Sequence, residues 1–196
     1  MIFLISLSDF EMSLLATSYI LVPYSMFNMD KSIRNYSLNF QSKIHNSIFN
    51  ALNQLGEGQY HIVSYSMLYL ISKLKKDEKL EEFSLSGIKS FIVSGLSVLA
   101  LKYVFGRARP YTWEGELSFK PFNLNNDYQS FPSGHTIIAF TTASHISSYS
   151  NNKLISFISY SLATGVGIAR IYKDQHWFSD VISAATLGII IGSNIK

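Results

Sequence analysis

Cysteine is missing from this 196-residue sequence, which excludes disulfides, thiol catalysis and cysteine metal sites. That absence leaves the compartment open, because a disulfide-free chain can sit on either side of a membrane. Charge is scarce too. Only 15% of residues are Asp, Glu, Lys or Arg, the net charge is +3, and no basic stripe interleaved with aromatics runs along the chain, which argues against a nucleic-acid partner. Long unbroken apolar runs are few: mean hydropathy is only +0.16, because Ser, Thr and Asn interrupt the apolar stretches. Disorder is excluded by a content of 47% hydrophobic and 14% aromatic residues. No internal repeat is visible. The length fits one domain, residues 1–196, with a substantial core.

What is present is a series of about six apolar stretches: Ser13–Phe27, His61–Leu74, Ile88–Phe105, Thr136–Tyr149, Leu154–Ala169 and Val181–Ile195. Each lies at or just below the ~20 residues that span a bilayer. The expectation is an all-α bundle of about six transmembrane helices. Residues 1–27 hold the first membrane helix or a secretory signal; a retained helix is favoured, because no basic segment leads it and Asp9 and Glu11 precede it. Between the first two stretches, Ile33, Tyr36, Phe40, Ile44, Ile48 and Leu52 recur at three- and four-residue steps. Residues 28–57 therefore read as one or two amphipathic interfacial helices, ended by Gly56 and Gly58, and 58–196 as the functional bundle. Lys75–Phe83 is a charged connector, and Gly106–Phe131 a long loop of the kind that is usually functional.

Sidedness follows from alternation. Lys73, Lys75, Lys76 and Lys79 put the connector after the second stretch on the cytoplasmic side. The next helix runs outward and delivers Gly106–Phe131 to the outer face; two helices later, Arg170–Asp180 arrives at that same face. The two loops richest in reactive side chains thus meet on one side.

Three clusters carry chemistry. In the first, Lys102 and Arg109-Pro110 are seven residues apart, which on a continuing helix puts both cations on one face; Pro110 sets the helix end near Ala108. Taken alone, this pair equally suits snorkelling cations at a membrane boundary. The second is Phe131-Pro132-Ser133-Gly134-His135, just before an apolar helix. A glycine there admits close approach, the helix start attracts an anion, Ser133 adds a hydroxyl and His135 can move a proton. A plain helix cap is the alternative. In the third, Arg170 precedes His176 and Asp180, which are four apart, so a helical turn would bring the carboxylate onto the imidazole. A histidine–aspartate pair at a helix start would look the same. Together, three cations, a helix start and two histidines match the needs of phosphoryl transfer. His145, inside the fourth stretch, reads as a satisfied core histidine. Lys173 and Asp174 read as solvated, and Trp113, Trp177 and Tyr111 suit an interfacial aromatic belt or the substrate's access.

In this order and spacing, Lys102 with Arg109-Pro110, Pro132-Ser133-Gly134-His135, and Arg170 with His176 and Asp180 resemble the signature of the type 2 phosphatidic acid phosphatase superfamily, over residues 84–195. The resemblance extends less clearly to Gly56-Glu57-Gly58. One departure is Ala169, where the family often has Ser, an auxiliary contact. The resemblance implies a helical bundle and a metal-independent phosphatase without cofactors. It makes His176 the nucleophile, oriented by Asp180, and His135 the acid and then the base. Lys102, Arg109, Ser133, Gly134 and Arg170 would hold the phosphoryl oxygens. It also implies a lipid phosphate or pyrophosphate as substrate, with no nucleic acid and no obligatory protein partner. The site would lie on the outer face of a bacterial inner membrane. A soluble exported acid phosphatase and a lipid phosphotransferase are the alternatives within the same superfamily.

Overall fold

The computed structural model describes residues 7–196, and these are all helical apart from loops and short turns. The extreme N-terminus of the expected 1–27 helix, residues 1–6, lies outside the described residues. The helices are α1 (Asp9–Asn28), α2 (Asp30–Asn39), α3 (Lys43–Gln54), α4 (Gly58–Lys75), α5 (Glu78–Phe105), α6 (Gly134–Ser150), α7 (Lys153–Tyr172) and α8 (Phe178–Asn194). The six apolar stretches correspond to α1 and α4–α8, and the amphipathic segment resolves into α2 and α3.

Local chemistry sets the boundaries. Ser8 and Glu11 form a reciprocal cap at the start of α1. Asp77 caps α5 by accepting from the Leu80 N–H at 3.0 Å, after Lys76 turns the chain in a left-handed conformation. The charged connector is therefore a tight turn, with the remainder of Lys75–Phe83 helical. At the other end, α5 stops at Phe105 and not near Ala108. Gly106 takes φ +55°, where a Cβ would fall 1.8 Å from the Lys120 carbonyl, so only glycine fits. Arg107 and Phe119 then pair as an isolated antiparallel bridge, and the Ser130 N–H returns to the Arg107 carbonyl at 3.0 Å. The Gly106–Phe131 loop is thereby closed on itself over the end of the bundle.

Helix α6 lies at the centre, against α5, α7 and α8, with α1 on α8 and α3 on α7. Val98, Ile137, Ile138, Ala184 and Ile191 form one core cluster; Ala139, Phe140, Ala143, Ala163 and Val166 form another. Small residues let α6 and α8 approach closely: a Cβ on Gly188 would fall 2.7 Å from the Ile137 carbonyl, and one on Gly192 only 2.3 Å from that of Thr141. His145 is a core histidine as expected, held between the Tyr65 hydroxyl and Ser86 Oγ, both at 2.9 Å. Among the described residues, α5 and α7 are long and apolar enough to cross a membrane, and α8 is a shorter apolar helix. Large apolar side chains face outward around the bundle, including Tyr19, Ile20, Leu70, Leu74, Leu96, Leu99 and Phe157. So wide an apolar exterior is out of place in water.

Candidate active site

The C-terminal ends of α5 and α7, the N-terminal ends of α6 and α8, the α3–α4 turn and α2 all meet at one end of the bundle. The sequence-derived site residues gather there, though several are held differently than their spacing suggests.

His176 lies in the turn before α8, not within it. Its Nδ1 donates to the Ser130 carbonyl at 2.7 Å, whereas Asp180 Oδ2 stands 3.7 Å away. The expected histidine–aspartate pair is therefore present at 3.7 Å, longer than a hydrogen bond and formed from the turn before the helix, and it is supplemented by an indirect link. Ser130 Oγ donates to Asp180 Oδ2 at 2.6 Å while its carbonyl holds the imidazole, so Ser130 connects the two. With the proton fixed on Nδ1, the lone pair sits on Nε2. Burial pushes the imidazole pKa down to about 3, with Lys102 and Arg170 adding to the fall and Asp180 opposing it. The ring is therefore neutral at neutral pH.

Asp180, at the third position of α8, also accepts from the Trp177 N–H at 2.8 Å, which fastens the start of the helix. Its other oxygen accepts from Arg107 at 2.6 Å. Arg107 is wholly buried and spends all five of its N–H donors, on Asp180, Ser179, Asp30 and twice on the Glu116 carbonyl. Asp30, from α2, in turn accepts from the Ser179 N–H and hydroxyl. Burial raises the Asp30 carboxyl above its ordinary range, against the pull of Arg107. Arg107, Asp30 and Ser130 were not singled out from the sequence. Arg107 carried a signal, as a third cation between Lys102 and Arg109; Asp30 is the one acid in residues 28–56, with nothing in the sequence to mark its destination.

The cations surround this floor. Lys102 donates to the Gln129 carbonyl at 2.7 Å, one residue from the carbonyl that holds His176. Arg109 lies beyond the Gly106 turn, so it does not share a helix face with Lys102; the loop brings it in, where it bonds Asn126 and Gln175. Arg170, in the last turn of α7, donates to Asn53, and its buried Nε has no partner among the described residues. Lys102, Arg109 and Arg170 repel one another, and the fields of Lys102 and Arg170 reach both histidines. An anion placed among them would relieve that repulsion and satisfy the open donor.

At the start of α6, the buried Ser133 hydroxyl shares a 2.8 Å bond with Thr136 Oγ1, and the Ser133 N–H reaches the Asp180 carbonyl. A Cβ on Gly134 would meet only Val98, at an ordinary 3.7 Å, so no protein contact demands glycine there and space is left beside the helix start. His135 Nε2 bonds Glu57 Oε1 at 3.0 Å. Two peripheral expectations are corrected. Asp174 is not free in solvent but makes a two-pronged ion pair with Arg34, both contacts 2.7 Å, while Lys173 is exposed and bonds Asn50. Trp177 is buried, its indole N–H donating to the Ala108 carbonyl, so it belongs to no interfacial belt. Trp113 is exposed, with the Arg34 guanidinium 4.0 Å above its ring, and Tyr111 donates to Asp127. Among the described residues, no three His, Asp or Glu side chains come together as a metal site would require.

Known proteins resemble this chain in sequence and in fold. The lipid A 1-phosphatase of Porphyromonas gingivalis is 38% identical over 100 residues, which is 50% of this chain and 20% of that one. The lipid A 1-phosphatase of Rhizobium johnstonii is 36% identical over 101 residues, 50% of this chain and 40% of its own. The matched stretch thus covers less than half of either relative. Among solved structures, Aquifex aeolicus LpxE superposes with a TM-score of 0.66 at 26% identity, covering 84% of this chain and 92% of that one. A transmembrane PAP2-type phosphatidylglycerolphosphate phosphatase from Bacillus subtilis shares the fold, with a TM-score of 0.70 at 21% identity over 93% and 92% of the two chains. The sequence model of the PAP2 superfamily matches residues 85–195, the span that supplies both histidines, Asp180 and all the clustered cations. By that match, over more than half of its length, the chain belongs to the PAP2 superfamily.

Proposed function

We propose that this chain is a membrane phosphatase that removes a phosphoryl group from a lipid phosphate or lipid pyrophosphate through a phosphohistidine at His176. The observation that carries this reading is the pairing of a fixed, neutral imidazole with a ring of cations that includes an unpartnered buried guanidinium N–H. His176 Nε2 attacks phosphorus. Lys102, Arg109, Arg170 and the Ser133–Gly134 helix start hold the phosphoryl oxygens and stabilise charge as it develops. His135 gives a proton to the departing oxygen, then takes one from the water that hydrolyses the phosphohistidine. Asp180, itself held by Arg107, acts through Ser130, keeping the imidazole in one tautomer. The reaction in this reading needs no metal or cofactor.

The lipid character of the substrate rests on position. The apolar exterior suits a bilayer, and a cleft of about 420 Å³ between α4 and α6, lined by Leu55, Tyr60, Leu68, Phe83 and Ile146, opens beside the turn that touches His135. The relatives named lipid A 1-phosphatase put a glycolipid phosphate first among candidates. The lysines of the α4–α5 turn lie at the opposite end of α5, about 40 Å from the site by helix rise, which favours an outward-facing site in a multi-pass membrane protein. The test is phosphate release by purified protein with EDTA present, over lipid A 1-phosphate, phosphatidic acid, phosphatidylglycerol phosphate, an isoprenyl pyrophosphate and a soluble aryl phosphate. Turnover of at least one lipid, lost in His176→Asn, is expected. Activity that requires a divalent metal, or that survives His176→Asn, would overturn the reading.

A further inference from the structure

The turn joining α3 to α4 lies outside residues 85–195, yet it reaches into the site at two points. Asn53 accepts from the Arg170 guanidinium, and Glu57 Oε1 takes His135 Nε2 at 3.0 Å. Between them, Gly56 rides directly on α6: a Cβ there would fall 2.8 Å from His135 Cβ and 2.7 Å from Val166 Cγ1. Any larger residue would lift the turn and draw Glu57 off the imidazole. The contact between Glu57 and His135 is therefore fixed by backbone packing, unlike a loose surface ion pair.

We propose that Glu57 is a positioning residue for His135, fixing which of its nitrogens handles the transferred proton. The inference rests on the phosphatase reading above. An ionised carboxylate accepts hydrogen bonds and donates none, so the proton in this contact sits on Nε2. Nδ1 is then the working atom. When the leaving oxygen departs, the proton on Nδ1 of the imidazolium passes to it and leaves a neutral ring; Nδ1 then takes a proton from the water that attacks the phosphohistidine, and His135 is restored. Throughout the cycle Nε2–H stays on Glu57. The two histidines would thus use opposite nitrogens, His176 attacking through Nε2 with Nδ1 held by Ser130, and His135 working through Nδ1 with Nε2 held by Glu57.

The same contacts suit a competing role. Glu57 also feels the attraction of Arg170, and as a partly exposed anion it could stand in the place of the phosphate and hinder binding. The two roles separate in kinetics. For a positioning residue, Glu57→Gln lowers kcat by about 10-fold and Glu57→Ala by up to about 100-fold, no more than the lower end of the 10²–10⁴ a whole acid–base group contributes, with KM within about threefold. For a competing anion, Glu57→Gln lowers KM and leaves kcat intact, and that result would overturn the proposal. Nitrogen-15 NMR of histidine-labelled protein in detergent reads the tautomer without turnover. His135 protonated on Nε2 in the wild type, and a mixed population in Glu57→Gln at unchanged Tm, is expected; a wild-type ring protonated on Nδ1 alone would overturn the assignment even if every variant failed to fold. Absence of wild-type turnover on the whole panel would instead overturn the phosphatase reading, with the NMR result still deciding whether Glu57 sets the tautomer.

Discussion

Replacing Arg107 with methionine removes the one cation between two buried carboxylates. Asp30 and Asp180 are both sealed from solvent, and Arg107 meets them at 2.7 and 2.6 Å. Methionine fills similar volume but offers no donor, so two acids lose their counter-charge and the Glu116 carbonyl loses both of its bonds to the guanidinium. Breaking a buried pair by removing one partner costs about 3–5 kcal/mol, because the surviving charge stays desolvated. At roughly 2–4 °C per kcal/mol for a chain of this length, Tm should fall by about 6–20 °C. Arg107→Lys should fall between, since an ammonium has three donors where the guanidinium uses five. Adding Asp30→Asn to Arg107→Met should recover part of the loss by neutralising one orphaned acid. Thermal unfolding in detergent, followed by tryptophan fluorescence, gives all four values. An Arg107→Met protein within about 1 kcal/mol of wild type would refute the account of this network, because that is below the smallest penalty expected for an uncompensated buried charge.

Two further outcomes follow from the packing and burial. Gly192→Ala places a methyl 2.3 Å from the Thr141 carbonyl and 2.8 Å from Ser144 Cβ, so α6 and α8 must part; a loss of about 1–3 kcal/mol is expected in the same melts, and none would contradict the close helix contact. His176 is buried neutral, with its pKa held at about 3 against an ordinary 6.5, so as pH falls below 6.5 the unfolded chain takes up the proton first. Its contribution is full above pH 6.5 and is lost on acidification at up to about 1.4 kcal/mol per pH unit. The Tm drop between pH 7 and pH 5 should be smaller in His176→Asn than in wild type; equal drops would argue that the imidazole is not buried neutral.

Periodicity and apolar runs carry the helical architecture in the sequence, because a helix must bury a stripe and a bilayer demands apolar length. The three motif clusters carry most of the candidate site for the same local reason: Lys102, His135, Arg170 and His176 sit at helix ends, and the alternation of helices brings those ends together. What spacing could not reveal is how the groups are held. The four-residue step from His176 to Asp180 suggests a contact along a helix, but α8 begins only at Phe178, and the hydrogen bond to His176 comes from Ser130, 46 positions earlier. The seven-residue step from Lys102 to Arg109 suggests one helix face, but Gly106 turns the chain between them. Asp30 and Asp174 each look like ordinary surface acids. Their partners, Arg107 and Arg34, lie 77 and 140 positions away, and no local pattern encodes pairings of that range.

Trapping the covalent intermediate asks the most direct question of the site. Rapidly quenched protein, given a phosphorus-32-labelled lipid phosphate, should carry acid-labile, alkali-stable label on the peptide that holds His176, and none in His176→Asn. Label on another residue, or full turnover with no labelled protein on any time scale down to milliseconds, would contradict attack by His176 Nε2.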